Sequence, residues 1–457
     1  MTVWREPAVD IGNHGTTIIL TNIRAQAKET LQSKEIWANY EESLFSPEKN
    51  EPISPPKYHI GKTQNLSQNQ LETDLIADKS VPWDNEDEPK IAFEKLVNAV
   101  WLEASLGNQN PRLELIFDYY LQMIWNLSLA TPLPYVNGNL FDLNLSDWVH
   151  AYLIANEPKG SAKPLQASDQ TFREVLDLTE GKKTEQFDVF VDNLQLSRPI
   201  KYQELPTGGH RLKKPVALIG KCKQDFANIN KAYSAGTLRF EAYLFWNPII
   251  APAEHRGVLI RVNGASGTLF DPTFLKYQVS EQVRLRQITC EIFVHEGFDS
   301  ALNIDRESFN AAHPHAVYIT RWLHGALRQL ATAQKRLASE VRTEARDELQ
   351  GQFADEIQNI ALKTWQREVK DEDSFPPSVD VRSEATNDLL NNADIIINRP
   401  ALRKKPKKAN SAHSQMATER LKAIAQIIAS FRLFEKLSPQ EQQRLLNAIF
   451  DVLDANK

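Results

Sequence analysis

Cysteine is nearly missing from this chain: Cys222 and Cys290 are the only two in 457 residues, and neither has a Cys-x-x-Cys partner. A disulfide framework and a four-cysteine zinc site are both excluded. Each cysteine reads as a small buried hydrophobe, as expected of a cytoplasmic protein in a reducing compartment. No apolar run approaches the roughly 18 residues of a membrane-spanning helix. The start, Met1 to Glu6, shows no basic region ahead of an apolar stretch, so no secretory signal is expected. Glycine forms only two clusters of note, Thr207–Gly209 and Asn263–Gly267. Neither sits between a strand and a helix as a phosphate loop does, and both read as hairpin turns. No charge sign dominates: the net charge of -6 gives no overall nucleic-acid signature. What is present is a globular composition, 42% hydrophobic and 25% charged, at a length that calls for two or three domains.

Along the chain, Gly15 to Thr21 is β-branched and apolar, a strong strand. A buried strand needs neighbours to pair with, and only a short stub precedes it. The expectation is that the chain lacks its front. From Ser46 to Glu88, Pro, Ser, Asn, Gln and acids dominate, and the segment reads as a loosely ordered linker. Residues Lys90 to Leu106 and Pro111 to Leu129 repeat apolar side chains at helical spacing, with Pro111 in a first turn. Between about Asp188 and Val294 the period shortens towards two. Five strands are predicted there: Phe187–Asp192, Val216–Gly220, Leu238–Phe245, Val258–Val262 and Ile288–Val294. With helices interrupting and following them, they make an α/β layer.

A long helix is expected from Ile319 to about Lys370, apolar early and charged later. Asp371 to Gln415 reads as a second linker containing the basic run Arg403 to Lys408. Thr418 to Leu453 reads as a helical hairpin, its second helix opened by a capping box at Ser438 to Glu441. An amphipathic hairpin must bury its stripe, and homodimerisation is one simple way to do so.

The segment carrying chemistry runs from Glu296 to Asn310. It reads as a strand end, a loop and a helix start, with Asp305 as N-cap. On such a helix Arg306 and Asn310 are i and i+4 and point the same way, an anion clamp beside free N–H groups. A surface salt bridge is the plain alternative. His313 and His315 could form half a metal site with His295 or Cys290, but no further ligand arrives at metal spacing, and a polar loop is the expectation. The basic run could touch nucleic-acid phosphates; it lacks interleaved aromatics, and a solvated linker is the simpler reading.

Residues Leu302 to Glu307, Leu-Asn-Ile-Asp-Arg-Glu, resemble the catalytic loop in the middle domain of the heat shock protein 90 chaperone family. That family carries serine where Asp305 stands and glutamine where Asn310 stands. Leu238 to Phe245 and Gly257 to Gly264 resemble the two preceding strands of that domain. His14 to Leu20 resembles the last strand of the nucleotide-binding fold shared by gyrase, chaperone, histidine kinase and MutL. The resemblance implies an α/β fold of the chaperone middle-domain type, a mixed sheet with helices, followed by a long helix and a C-terminal helical hairpin. Residues 1–30 would be a remnant of the nucleotide-binding domain, with Gly15 and Thr16 near the cofactor. Residues 31–89 would be linker, 90–150 a helical element, 151–335 the middle domain, 336–370 the charged helix, 371–415 the basic linker and 416–457 the hairpin.

By the same resemblance Arg306 would reach the γ-phosphate of ATP, with Asn303 and Asn310 as further catalytic candidates. ATP and magnesium would be held by an N-terminal module. The superfamily's Glu- and Asn-bearing helix, its Asp-x-Gly-x-Gly turn and its glycine-rich lid find no counterpart in this sequence. The expected function is therefore completion of ATP hydrolysis, in a dimer that serves a protein client or partner. The alternatives are a non-enzymatic interaction scaffold and a nucleic-acid-associated ATPase subunit.

Overall fold

In a computed structural model the chain divides into two compact units, residues 1–336 and 337–457. The structure describes residues 23–45, 55–60, 79–108, 110–179, 188–226, 236–278, 282–303, 308–369, 375–383, 395–399 and 411–454. The expected strand at Gly15 to Thr21 lies outside them.

The first unit opens with helices α1 (Ala25–Leu31), α2 (Lys34–Phe45) and α3 (Pro89–Ser105). Pro89 occupies the first turn of α3, where its missing N–H costs nothing. The apolar spacing of α3 buries Phe93, Leu96, Val97, Val100 and Trp101. The apolar pattern from Pro111 to Leu129 predicts one helix, but the chain makes two, α4 (Leu113–Ile116) and α5 (Tyr119–Ala130). Phe117 between them is extended and bridges Tyr58. Asp118 then starts α5, its carboxylate accepting from the Leu121 N–H at 2.9 Å and from the Ile60 N–H at 2.9 Å. A tertiary contact thus overrides a continuous helical period. Tyr58 and Ile60 lie within the stretch that composition reads as loosely ordered linker.

The centre is a six-stranded mixed sheet in the order β2 (Lys163–Pro164), β1 (His150–Leu153), β5 (Val216–Gln224), β6 (Leu238–Trp246), β8 (Ile288–Glu296), β7 (Gly257–Val262). β1 runs parallel to β5 and β7 parallel to β8, while the β5–β6 and β6–β8 pairs are antiparallel. Four of the five predicted strands are here. The fifth, Phe187–Asp192, supplies only β3 (Phe190–Val191), paired with β4 (Leu194–Gln195) in a separate two-stranded hairpin. The central strands are almost continuously buried because both faces are covered. On one face Tyr243, Phe245, Phe293 and Ile219 share a core with α3 and α5. On the other lies the long helix α8 (Pro314–Val369), which follows the short helices α6 (Phe172–Leu176) and α7 (Gln282–Leu285). Trp322 of α8 meets Phe240 edge-on at 5.0 Å, and Tyr318 bonds the Cys222 sulfur at 3.2 Å. Both cysteines are free and buried.

The second unit begins inside α8. Two parallel strands, β9 (Val379–Ser383) and β10 (Ile395–Arg399), occur within the stretch that composition reads as a linker. Helices α9 (Ser411–Ser430) and α10 (Pro439–Asp454) follow. Ile397, Leu421, Ala425 and Leu446 form the centre of this unit's core. One half of the predicted capping box is seen: the Glu441 carboxylate reaches back and accepts from the Ser438 N–H and hydroxyl. The run Arg403 to Lys408 lies outside the described residues. Among those described, no helix is long and apolar enough to cross a membrane.

Candidate functional site

β8 ends at Glu296 and the chain must reach α8 at Pro314. Gly297 makes the first turn, at φ +81°. A Cβ there would stand 2.6 Å from the Thr237 carbonyl oxygen and 2.8 Å from the His315 ring, so only glycine fits. Phe298 follows at φ +73°, a conformation an aromatic residue adopts only when its surroundings impose it. The constraint is His315. Its Nδ1 accepts from the Phe298 N–H at 3.0 Å, and its Nε2 faces the Gly236 carbonyl at 3.1 Å. With Nδ1 accepting, the proton sits on Nε2 and donates to Gly236. His315 is fully buried, so this imidazole pins the loop to the base of the sheet.

Beyond Phe298 the loop closes on itself. Leu302 and Phe309 form an antiparallel bridge. The Asn303 N–H donates to the Ser308 carbonyl at 3.0 Å, and its side-chain amide to the Ser308 hydroxyl at 2.6 Å. The Asn310 N–H donates to the Ala301 carbonyl at 2.7 Å, while its side-chain oxygen accepts from the Ala312 N–H at 3.0 Å. The Phe298 and Phe309 rings lie 5.6 Å apart. These contacts make a neck from which the chain leaves at Asn303 and returns at Ser308.

The two asparagines singled out from the sequence therefore come together, at the same neck. Arg306 lies outside the described residues, as do Ile304, Asp305 and Glu307, and so do Gly15 and Thr16. The expected helical clamp is corrected: α8 starts at Pro314, so Asn310 is a loop residue and no i, i+4 relation on a helix joins it to Arg306. Proline is favoured in a first turn, and Pro314 is a stronger start signal than Asp305. The reading of His313 to His315 as a polar loop is corrected too. His313 bonds the Ser300 hydroxyl at 3.1 Å, and His315 is an interior frame residue in the first turn of α8. Burial, and then the neighbouring His315, push the His313 imidazole below its usual range.

Sequence reading missed the part that Gly297 and His315 play in holding the loop. A Gly directly after a long apolar strand, followed by a bulky aromatic, was the available signal. Among the described residues no group of three or more His, Cys, Asp or Glu gathers that could hold a metal ion. Cys290 is deep in β8, and burial pushes its thiol well up, away from ligand or nucleophile chemistry.

No protein-family profile, curated protein or solved structure matches this chain.

Proposed function

We propose that the chain is the middle and C-terminal part of a chaperone-like ATPase, whose loop beyond β8 brings Arg306 to the γ-phosphate of an ATP held by another module. The observation that carries this reading is the neck. Asn303 and Ser308 are bonded to each other, and the loop that holds them is fastened to the sheet through buried His315. Phosphoryl transfer is accelerated mainly by positioning and charge stabilisation, so an arginine acting from outside the nucleotide module needs a rigid base. The four sequence blocks, in their order, supply the rest of the support.

In this reading Asn303 and Asn310 are positioning residues, because both amides are already engaged in holding the loop. Magnesium and the adenine site belong, in this reading, to the other module.

The test is steady-state ATP hydrolysis by the assembled protein. Arg306→Ala should lower kcat by about 10³-fold, with little change in KM for ATP. Arg306→Lys should recover only part of the loss, because a point charge does not reproduce the guanidinium fork. Turnover unchanged in Arg306→Ala removes the role given to Arg306, and no turnover by the assembled wild type overturns the proposal in favour of a non-enzymatic scaffold.

A further inference from the structure

On the helix-covered face of the first unit, the turn Ala155–Ala162 and α8 enclose a cleft of about 890 Å³. None of the residues discussed for the ATPase loop lines it. Its volume falls within the range of small-molecule sites. The lining is asymmetric in charge: Arg321, Arg328 and Arg336 come from α8 and Lys159 from the turn, against the single acid Glu157.

One of these cations is already committed. Arg336 stacks over the Tyr152 ring at 5.5 Å and donates to its hydroxyl at 3.2 Å. Arg321 and Arg328 are exposed, and neither side chain has a hydrogen bond or an ion pair among the described residues. The same is true of Lys159. A guanidinium left without a carboxylate inside a concave site is an unfilled recognition group for an oxyanion.

The cleft is a built feature. Buried Gln329 of α8 clamps the turn by a reciprocal amide pair: it accepts from the Ala155 N–H at 3.0 Å and donates to the Ala155 carbonyl at 2.9 Å. Asn156 accepts from the Trp322 indole at 2.8 Å and donates to the Lys221 carbonyl at 2.9 Å. Gly160 permits the tight return, because a Cβ there would lie 2.6 Å from that of Ala155. Lys159 is held at φ +61°, a conformation rare outside glycine. The turn that carries this lysine is therefore fixed against the helix that carries the arginines.

Spacing and aromatic burial decide the ligand class. Arg321 and Arg328 leave the helix on one face roughly 10 Å apart along its axis, so a ligand that touches both carries more than one anionic group. Of the aromatic residues, Tyr152 and Trp322 are only 3% and 7% exposed, and half-buried Tyr318 has its ring against Phe226 and its hydroxyl on the Cys222 sulfur. The cleft thus lacks the run of open ring faces on which a single-stranded nucleic acid stacks its bases. We propose that this cleft binds a small ligand with two or more phosphate groups, ion-paired to Arg321 and Arg328, with Lys159 contributing from the turn.

The probe is inorganic triphosphate, titrated calorimetrically into the full chain. Wild type should bind saturably with one site. Arg321→Ala/Arg328→Ala should weaken binding at least about tenfold, as expected for lost charge-assisted pairs. Arg321→Lys/Arg328→Lys, which keeps the charge and the fold, should weaken it by less. Arg112→Ala, elsewhere on the surface and paired with Glu114, should leave it unchanged. Arg306→Ala should also leave it unchanged, which separates this site from the ATPase loop. Absence of saturable binding by the wild type overturns the proposal. Equal weakening by Arg112→Ala, or tighter binding of oligothymidylate than of triphosphate through the same arginines, overturns it as well.

Discussion

The Nε of Arg261 donates to Oε1 of Glu291 at 2.5 Å, and neither side chain has any solvent exposure. Leu259 and Tyr243 flank Glu291 on the neighbouring strands. The other carboxylate oxygen accepts from the Tyr135 hydroxyl at 2.7 Å and the Tyr243 hydroxyl at 2.6 Å. Tyr202 donates to Tyr243 at 2.9 Å, and Arg261 also donates to the Leu129 carbonyl at 2.7 Å. Burial pushes the Glu291 carboxyl up, but Arg261, Arg198 and the tyrosine hydroxyls outweigh it and hold it below the usual carboxylate range. This network ties β7, β8 and β6 to the end of α5.

A buried ion pair adds little against an apolar replacement, yet losing one partner is costly because the other stays buried and unpaired. Glu291→Gln should therefore destabilise the first unit by about 3–5 kcal/mol. Arg261→Met/Glu291→Gln should cost less than the sum of the single changes. Urea unfolding of the four proteins measures this coupling; additive losses would show that the pair is not the unit of stability.

His255 accepts from the Trp125 indole at 3.0 Å while 2% exposed. Burial lowers its pKa from 6.5 to about 3, with Glu291 pulling upwards and Arg261 downwards. The unfolded histidine binds a proton below pH 6.5, whereas the folded one refuses it down to about pH 3. Stability from this group is thus complete above pH 6.5 and declines as the pH falls, by about 1.4 kcal/mol per pH unit. His255→Gln keeps an acceptor for Trp125 but cannot titrate. Between pH 6.5 and 5 the wild type should lose about 2 kcal/mol more than this variant. Parallel urea midpoints for the two proteins over that range would contradict the assignment.

At Gly220 the backbone of β5 lies against Trp322 of α8. A Cβ added there would stand 2.5 Å from the Trp322 ring and 3.2 Å from Ile154. Gly220→Ala must displace Trp322 from Phe240 and from Asn156, and a loss of about 1–3 kcal/mol is expected. Adding Trp322→Leu should relieve part of that cost, and thermal melts of the single and double variants would reveal the coupling. Independent effects would place the clash elsewhere.

The strands were legible because a sheet covered on both faces demands nearly continuous apolar runs, as in Leu238–Phe245 and Ile288–Val294. β1 was not, because four residues, His150–Leu153, are too short to show a period. Phe187–Asp192 alternates convincingly, yet pairing partners and not alternation decide which sheet a strand enters, and Val191 turns straight back to Leu194. The helix after the β8 loop starts later than the capping pattern at Asp305 suggests: the Leu302–Phe309 bridge keeps Phe309 and Asn310 out of a helix, and α8 begins at Pro314.

Local composition by itself determined where apolar runs had to be buried, where Pro89 and Ser438 start helices, and that Cys222 and Cys290 would be interior thiols. Only the tertiary structure decided the polar pairings: Arg261 with Glu291, His315 with Phe298, and the unpaired arginines opposite Lys159. The physical reason is range. Apolar burial and capping depend on neighbours a few residues away. The partner of a buried charge is whichever group the sheet register and helix docking bring within about 3 Å, and no local pattern encodes that.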